Sequence, residues 1–167
     1  AMQPSLAAYL QFLQKTPGEV EALYQDILIH VTSFFRDPEA FDVLKRLVFP
    51  RLITGRSAHE PVRFWALGCS TGQEAYSLAI AFREAAEAAG SPATLQLFAT
   101  DLNAKCIDKA RAGLYPKDIA LDVSKDRLQK FFTEVDGQYR ICKSIRDVCI
   151  FSQHNVLTDP PFLRIDL

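Results

Sequence analysis

The stretch VRFWALGCSTGQE, at residues 62–74, decides the fold that we predict for this chain of 167 residues. Its first six residues form a short apolar run that is typical of a buried strand and ends at Gly68. Small residues continue to Gly72, and such residues let the backbone approach a ligand closely. Residues 75–89 are rich in alanine and predict a helix. A strand, a glycine turn and a helix in this order predict a ligand site at the carboxyl end of a strand in an open α/β sheet.

The same alternation continues along the chain. Leu95–Asp101 predicts a second strand, and Ala104–Ala112 predicts a second helix that closes at Gly113. Strands joined by helices form parallel sheets with right-handed crossovers, so we predict an α/β fold. The later predicted elements are a helix from Ser124 through Phe132, strands at Tyr139–Cys142 and Val148–Ser152, and the start of a strand at Ile165–Leu167.

The residues before the first strand predict a helical lead-in. Gly18–Val31 places its apolar residues along one helical stripe. Asp37 followed by Pro38 predicts the start of another helix, because proline suits the first helical position. The apolar residues that we place on one face of this helix are Phe41, Leu44, Val48 and Leu52. We therefore divide the chain into a partial helical N-terminal domain at residues 1–55, a linker at residues 56–61 and an α/β domain at residues 62–167.

Composition and charge argue against several classes of protein. Lys and Arg number 19 against 20 Asp and Glu, so no basic excess favours nucleic acid as a partner. No apolar stretch approaches the roughly 20 residues that span a bilayer, and the first residues lack the pattern of a signal peptide. The 4 cysteines form no CxxC pair, and the 3 histidines have no metal-ligand spacing. We expect a reduced, cytoplasmic protein without a metal site.

The turn after the first strand favours a particular kind of ligand. Its glycines do not follow the GxGxxG spacing of dinucleotide sites. Glu74, near the start of the helix, would repel a phosphate and could hold an ammonium group. Asp101, at the end of the second strand, could accept hydrogen bonds from ribose hydroxyls or could cap the helix that follows. These features favour a ligand with a nucleoside and an amino-acid tail, although Gly68 and Gly72 could serve the turn alone.

Several blocks together resemble the chemotaxis receptor methyltransferase (CheR-type) family, and they keep its order and spacing from about Leu23 onward. The blocks are VTSFFRD at residues 31–37, GCSTGQEAYS at residues 68–77, FATD at residues 98–101, ARAGLY at residues 110–115, IFSQHNVL at residues 150–157 and PPFLRIDL at residues 160–167. The sequences of several of these blocks are most similar to those of the branch found in fused methylesterase–methyltransferase proteins. The resemblance implies a Rossmann-like class I S-adenosylmethionine-dependent methyltransferase fold behind a partial helical domain. It also implies a family block after Leu167, so we expect a domain truncated at its C-terminal end.

The resemblance assigns roles to individual residues. Thr32 and Arg36 match positions that line the cofactor and the reacting centre, although they could be a helix cap and a surface ion-pair residue. Phe34 and Phe35, between them, are expected to pack in the core. The cofactor-binding set implied by the resemblance is Thr32, Arg36, Gly68, Ser70, Gly72, Glu74, Asp101, Asn155 and Val156.

Within that set, Glu74 matches the residue that holds the methionine amino group, and Asp101 matches the ribose-binding acid. Asn155 and Val156 match a stretch that covers the adenine, although Asn155 could be a turn residue.

The resemblance implies methyl-ester formation on glutamate side chains of chemoreceptors, with S-adenosyl-L-methionine as cofactor and S-adenosyl-L-homocysteine as product. Composition and charge lead us to expect no nucleic-acid partner and no membrane insertion. An open edge of the truncated sheet suggests a dimer. Three alternatives remain open at this point. They are a non-catalytic cofactor- or partner-binding module of a hybrid signalling protein, a methyltransferase acting on a small molecule, and a nicotinamide enzyme, which the absent GxGxxG disfavours.

Overall fold

The computed structural model describes residues 5–20, residue 23 and residues 32–167. The chain forms two compact units, Ala1–Val31 and Thr32–Leu167. In the first unit, helix α1 (Leu6–Lys15) begins after Ser5, whose side chain accepts a hydrogen bond from the backbone of Ala8. Residues 17–20 are also helical. Apart from these positions and Leu23, the helix predicted over Gly18–Val31 lies outside the described residues.

The second unit alternates helices and strands. In chain order its elements are α2 (Pro38–Val43), a π-helical turn (Leu44–Val48), α3 (Phe49–Ile53), β1 (Val62–Leu67), α4 (Gln73–Ala88), β2 (Leu95–Asp101), α5 (Ala104–Ala112), β3 (Leu114–Tyr115), a 3₁₀ helix (Lys117–Leu121), α6 (Lys125–Phe131), β4 (Phe132–Val135), β5 (Gln138–Ile141), α7 (Lys143–Arg146) and β6 (Cys149–Gln153).

The main sheet is parallel and has the strand order β1-β2-β6. This confirms the predicted α/β fold. Alternate residues of β1 are buried, and Phe64 packs against Phe82 of α4 with 5.4 Å between the ring centroids. Trp65 points to the opposite face, where it contacts the ring of Phe162 at 5.1 Å. Because the strands run in the same direction, their carboxyl ends meet at one edge of the sheet, beside the turn at residues 68–72.

A second, antiparallel sheet has the order β3-β5-β4 and lies between α5 and β6 in the sequence. The predicted strand at Tyr139–Cys142 corresponds to β5, but its place in a separate sheet was not foreseen. Helix α6 is capped by the side chain of Ser124, as predicted. It ends one residue early, because Phe132 adopts an extended backbone and begins β4.

Helices α2 and α3 share their core with the main sheet. Pro38 occupies the start of α2, although the side chain of Asp37 makes no capping hydrogen bond. Phe49 lies 5.8 Å from Phe64 and 5.7 Å from Phe82, measured between ring centroids. Of the predicted apolar face, Phe41 is buried, and Leu44, Val48 and Leu52 pack partly buried against the core. The division of the chain at residues 56–61 stays a prediction.

The last residues run beside β1. Asp166 donates its backbone N–H to the carbonyl of Arg63 at 2.8 Å, and Trp65 donates to the carbonyl of Leu167 at 2.8 Å. Residues 165–167 are not a regular strand, yet these bonds begin a ladder where a strand was predicted. The suggested dimer through a sheet edge stays a prediction. In the part of the chain that the structure describes, no helix is long and apolar enough to cross a membrane.

Candidate functional site

The turn between β1 and α4 is closed on one side and open on the other. Gly72 has φ 95°, and a Cβ added there would lie 2.9 Å from the Cβ of Ala110 and 3.1 Å from the hydroxyl of Tyr115. Gly68 has φ 64°, and a Cβ there would meet nothing within 4 Å. Gly72 therefore allows tight packing on α5, whereas Gly68 leaves the backbone accessible to a ligand.

Asp101 is joined to this turn by hydrogen bonds. Its Oδ2 accepts from the backbone N–H of Ser70 at 2.8 Å, and its Oδ1 accepts from the N–H of Asn103 at 2.8 Å. The cap of α5 is Asn103, whose Oδ1 accepts from the next turn of backbone. The half-buried carboxylate of Asp101 is thus fixed in orientation, and each oxygen keeps a further lone pair for another donor.

Tyr115 anchors the turn and Tyr76 joins α4 to α5, and the sequence alone assigned neither residue this role. Tyr115 donates its hydroxyl to the carbonyl of Thr71 at 2.7 Å, and Tyr76 donates to the carbonyl of Ala110 at 2.7 Å. Burial raises the pKa of both phenols, so both remain protonated donors. A buried tyrosine usually finds a hydrogen-bond partner, and this was the available signal, but the sequence did not identify the partner.

The loop at residues 32–36 is attached to α4. The backbone N–H of Phe35 donates to Oγ of Ser77 at 3.0 Å, and that hydroxyl donates to the carbonyl of Gln73 at 2.7 Å. Phe34 meets the ring of Tyr115 edge-on at 4.9 Å. Phe34 and Phe35 are both buried, as expected for core residues.

Thr32 faces a small cavity next to the start of α4. The cavity has a volume of about 270 Å³, and its lining includes Thr32, Gln73 and Tyr115. Glu74 lies exposed in the first turn of α4, directly after Gln73, and Arg36 is exposed at the end of the loop. The structure therefore brings Thr32 to the same end of α4 as Glu74.

The segment after β6 approaches Asp101 from the other side. The backbone of His154 donates to the carbonyl of Asp101 at 3.0 Å. Asn155 forms a turn, because its Oδ1 accepts from the backbone of Leu157 at 3.0 Å. Asn155 is thus a turn residue, and its side-chain NH₂ keeps donor capacity. Val156 is 56% exposed and offers apolar surface beside this segment.

The site offers no reactive cysteine or metal cluster in its described residues. Burial raises the pKa of the Cys69 thiol to about 12, and nearby Asp101 adds to the effect. The thiol is therefore protonated at neutral pH and is a poor nucleophile. Among residues 5–20, 23 and 32–167, no group of three or more His, Cys, Asp or Glu side chains could hold a metal ion.

A fixed acid beside a glycine turn at the carboxyl edge of a parallel sheet defines a nucleoside-binding α/β domain. The chain belongs to the CheR methyltransferase family, because the family described as CheR methyltransferase, SAM binding domain, matches residues 30–167. S-adenosylmethionine is the cofactor of this domain, and the residues present fit it. Gly68 leaves an open approach, Asp101 has lone pairs for hydroxyl donors, and Glu74 supplies a negative charge for an ammonium group. The roles of individual residues stay predictions.

Several curated relatives carry methyltransferase names. The chain is 27% identical to a chemotaxis protein methyltransferase of Borreliella burgdorferi, over 93% of this chain and 57% of that protein. It is 33% identical to a probable biofilm formation methyltransferase, WspC, of Pseudomonas aeruginosa, over 93% of this chain and 36% of that protein. It is 43% identical to an uncharacterized 104.1 kDa protein of Rhodobacter capsulatus, over 98% of this chain and 17% of that protein. The chain therefore spans between 17% and 57% of the length of these relatives.

Proposed function

We propose that this chain is the cofactor-binding part of a cytoplasmic methyltransferase that forms methyl esters on glutamate side chains of chemoreceptors. The observation that carries the proposal is the bond between Ser70 and Asp101, which fixes an acid beside the open face of Gly68. The names of the chemotaxis relatives support a chemoreceptor as the acceptor.

Each side of the site has a distinct task in this proposal. Asp101 accepts hydrogen bonds from the ribose hydroxyls, because its carboxylate is already oriented by two backbone donors. Glu74 pairs with the ammonium group of the methionine tail. Asn155 donates its side-chain amide towards the adenine, and Val156 covers the ring with apolar surface.

The reaction needs positioning more than acid–base chemistry. When bound, S-adenosylmethionine supplies an electrophilic methyl group on a sulfonium ion. An acceptor glutamate is ionised at neutral pH, so the chain needs no general base. Arg36 orients a carboxylate by its guanidinium group, that of the cofactor's methionine tail or that of the acceptor, and Thr32 lines the same end of the site. Alignment of the reacting groups can contribute roughly 7–11 kcal/mol at best, and exclusion of water helps because opposite charges are neutralised.

The first test is calorimetric titration with S-adenosylhomocysteine. The unaltered chain should bind it, and Asp101→Asn should bind roughly tenfold to a hundredfold more weakly, because hydrogen bonds to a charged group are lost. Asp108→Asn is a matched control, since Asp108 is an exposed acid on α5 whose ion pair is with Arg111. Equal affinity of the unaltered chain and Asp101→Asn would contradict the assignment of Asp101.

The acceptor requires a second test with the complete natural protein that contains these residues. We expect transfer of a radiolabelled methyl group to a chemoreceptor cytoplasmic fragment, as base-labile ester. Arg36→Ala should reduce that transfer sharply. Binding of S-adenosylhomocysteine without transfer to any receptor fragment would instead favour a non-catalytic cofactor-binding module.

A further inference from the structure

The backbone of Phe35 adopts an unusual conformation next to a predicted site residue. Its φ is 50°, in the left-handed region that bulky side chains rarely occupy. Such a conformation persists only where the surrounding structure holds it. Phe35 immediately precedes Arg36, so the direction in which Arg36 leaves the loop depends on this conformation.

Three contacts hold Phe35 in place. Its backbone N–H donates to Oγ of Ser77 at 3.0 Å in a buried hydrogen bond. Its ring meets Phe41 edge-on, with 5.2 Å between the centroids. The guanidinium group of Arg127 lies over the face of the same ring, 3.9 Å from its centroid. The ring of Phe35 is therefore held by a T-shaped contact with Phe41 and by a guanidinium group over one face.

Arg127 is itself fixed by Glu84. Its Nε donates to Oε1 of Glu84 at 2.8 Å, and its Nη2 donates to Oε2 at 2.9 Å, which is a forked pair. Lys45 donates to the same carboxylate at 2.5 Å. Both members of the forked pair are less than a quarter exposed, so water screens the pair only in part. A fork of this kind fixes the plane of a guanidinium group, which a lysine could not reproduce.

The ionised state of Glu84 keeps its pair with Arg127 in place at neutral pH. Burial raises the pKa of this carboxyl, but hydrogen bonds from Arg127 and Lys45 outweigh burial and lower the pKa below its ordinary value. Glu84 therefore stays ionised at neutral pH and keeps both of its basic partners.

We propose that Arg127, held in plane by Glu84, is a positioning residue whose guanidinium clamps the Phe35 ring and so sets the direction of Arg36 at the cofactor site. This inference rests on the proposed function, in which Arg36 orients a carboxylate. It adds that the geometry of Arg36 is controlled by a charged group on α6, far from the glycine turn in sequence.

The first experiment measures the protection of the Phe35 amide against hydrogen exchange, with and without Arg127→Lys. The lysine keeps the charge and loses the fork and the planar contact with the ring. Arg83→Lys is the matched control, because Arg83 makes an exposed ion pair with Glu87 on α4 at 2.7 Å. We expect faster exchange of the Phe35 amide in Arg127→Lys and unchanged exchange in Arg83→Lys. Equal protection in all three proteins would overturn the clamp.

The second experiment is a double-mutant cycle on binding of S-adenosylhomocysteine. We expect Arg127→Lys to weaken binding about tenfold in the unaltered background, a loss of roughly 1.4 kcal/mol, and to have no effect when Arg36→Ala is already present. Losses that simply add in the double variant, or a lower melting temperature with unchanged affinity, would overturn the positioning role. Absence of binding by the unaltered chain would instead refute the proposed cofactor site, and the role of Arg127 in it.

Discussion

Gly72→Ala should destabilise the fold more than the same substitution at a glycine with open space around it. Gly72 has φ 95°, which L-residues rarely adopt, and its added Cβ would lie 2.9 Å from the Cβ of Ala110. Real Cβ atoms essentially never approach so closely, so α5 or the turn must move. The added methyl would also press on the hydroxyl of Tyr115 at 3.1 Å, and this hydroxyl anchors the turn at Thr71.

The expected magnitude has two parts. A positive φ costs an L-residue about 1–2 kcal/mol, and an overpacked methyl group in a dense core costs about 1–3 kcal/mol. Together they predict a loss of about 2–5 kcal/mol in the free energy of unfolding. For a chain of this size, a loss of about 3 kcal/mol lowers the melting temperature by roughly 6–12 °C.

Chemical and thermal denaturation of matched variants would measure the two parts separately. Gly90→Ala is the control, because Gly90 has φ 58° and a Cβ there would meet nothing within 4 Å. Its loss should therefore contain only the backbone part, about 1–2 kcal/mol. If Gly72→Ala cost no more than Gly90→Ala, the close packing of the turn on α5 would be refuted.

Three further substitutions test the anchors of the site. Tyr115→Phe removes the hydrogen bond to Thr71 and should cost about 1 kcal/mol in urea denaturation, with weaker binding of S-adenosylhomocysteine; unchanged binding would argue against a role for this anchor. Ser77→Ala leaves the buried N–H of Phe35 unpaired and should lower the free energy of unfolding by about 1–3 kcal/mol. Ser77→Thr keeps the hydroxyl and should lower it less. Glu84 has a pKa below its ordinary 4.5, because hydrogen bonds from two basic groups outweigh the effect of burial. The stability it contributes is present above about pH 4.5 and is lost as the pH falls through the lower folded pKa, so Glu84→Gln should flatten the pH dependence of unfolding in that acidic range.

The main sheet and its turn could be predicted because local sequence determines them. The apolar run of β1 and the helix α4 that follows it are both visible as local sequence patterns, and small residues mark the turn between them. Asp101 was predictable for the same reason, since it ends a strand whose direction the alternation fixes. The structure then supplied the bond from Ser70 to Asp101, which joins residues far apart in sequence.

The contacts that hold the site could not be predicted, because they depend on long-range geometry. The hydrogen bond of Tyr115 to Thr71 and the stacking of Arg127 on Phe35 join elements whose packing no local pattern reports. The strands at Leu114–Tyr115 and Phe132–Val135 are short, and their apolar residues were equally compatible with helix ends or loops. Short segments of this kind acquire their structure from the partner strand β5.

Each of the two loops of the site contains a strained residue whose backbone N–H makes a hydrogen bond. Phe35 and Ser70 are both non-glycine residues with positive φ, at 50° and 48°, which costs about 1–3 kcal/mol each. The N–H of Phe35 donates to Ser77, and the N–H of Ser70 donates to the carboxylate of Asp101. A hydrogen bond to a charged group contributes about 1.5–3 kcal/mol, which is comparable with the strain at Ser70. The loop of Phe35 is held in addition by the contacts of its ring with Phe41 and Arg127. The chain can therefore hold both loops in shape before a ligand arrives, and binding need not include the cost of ordering them.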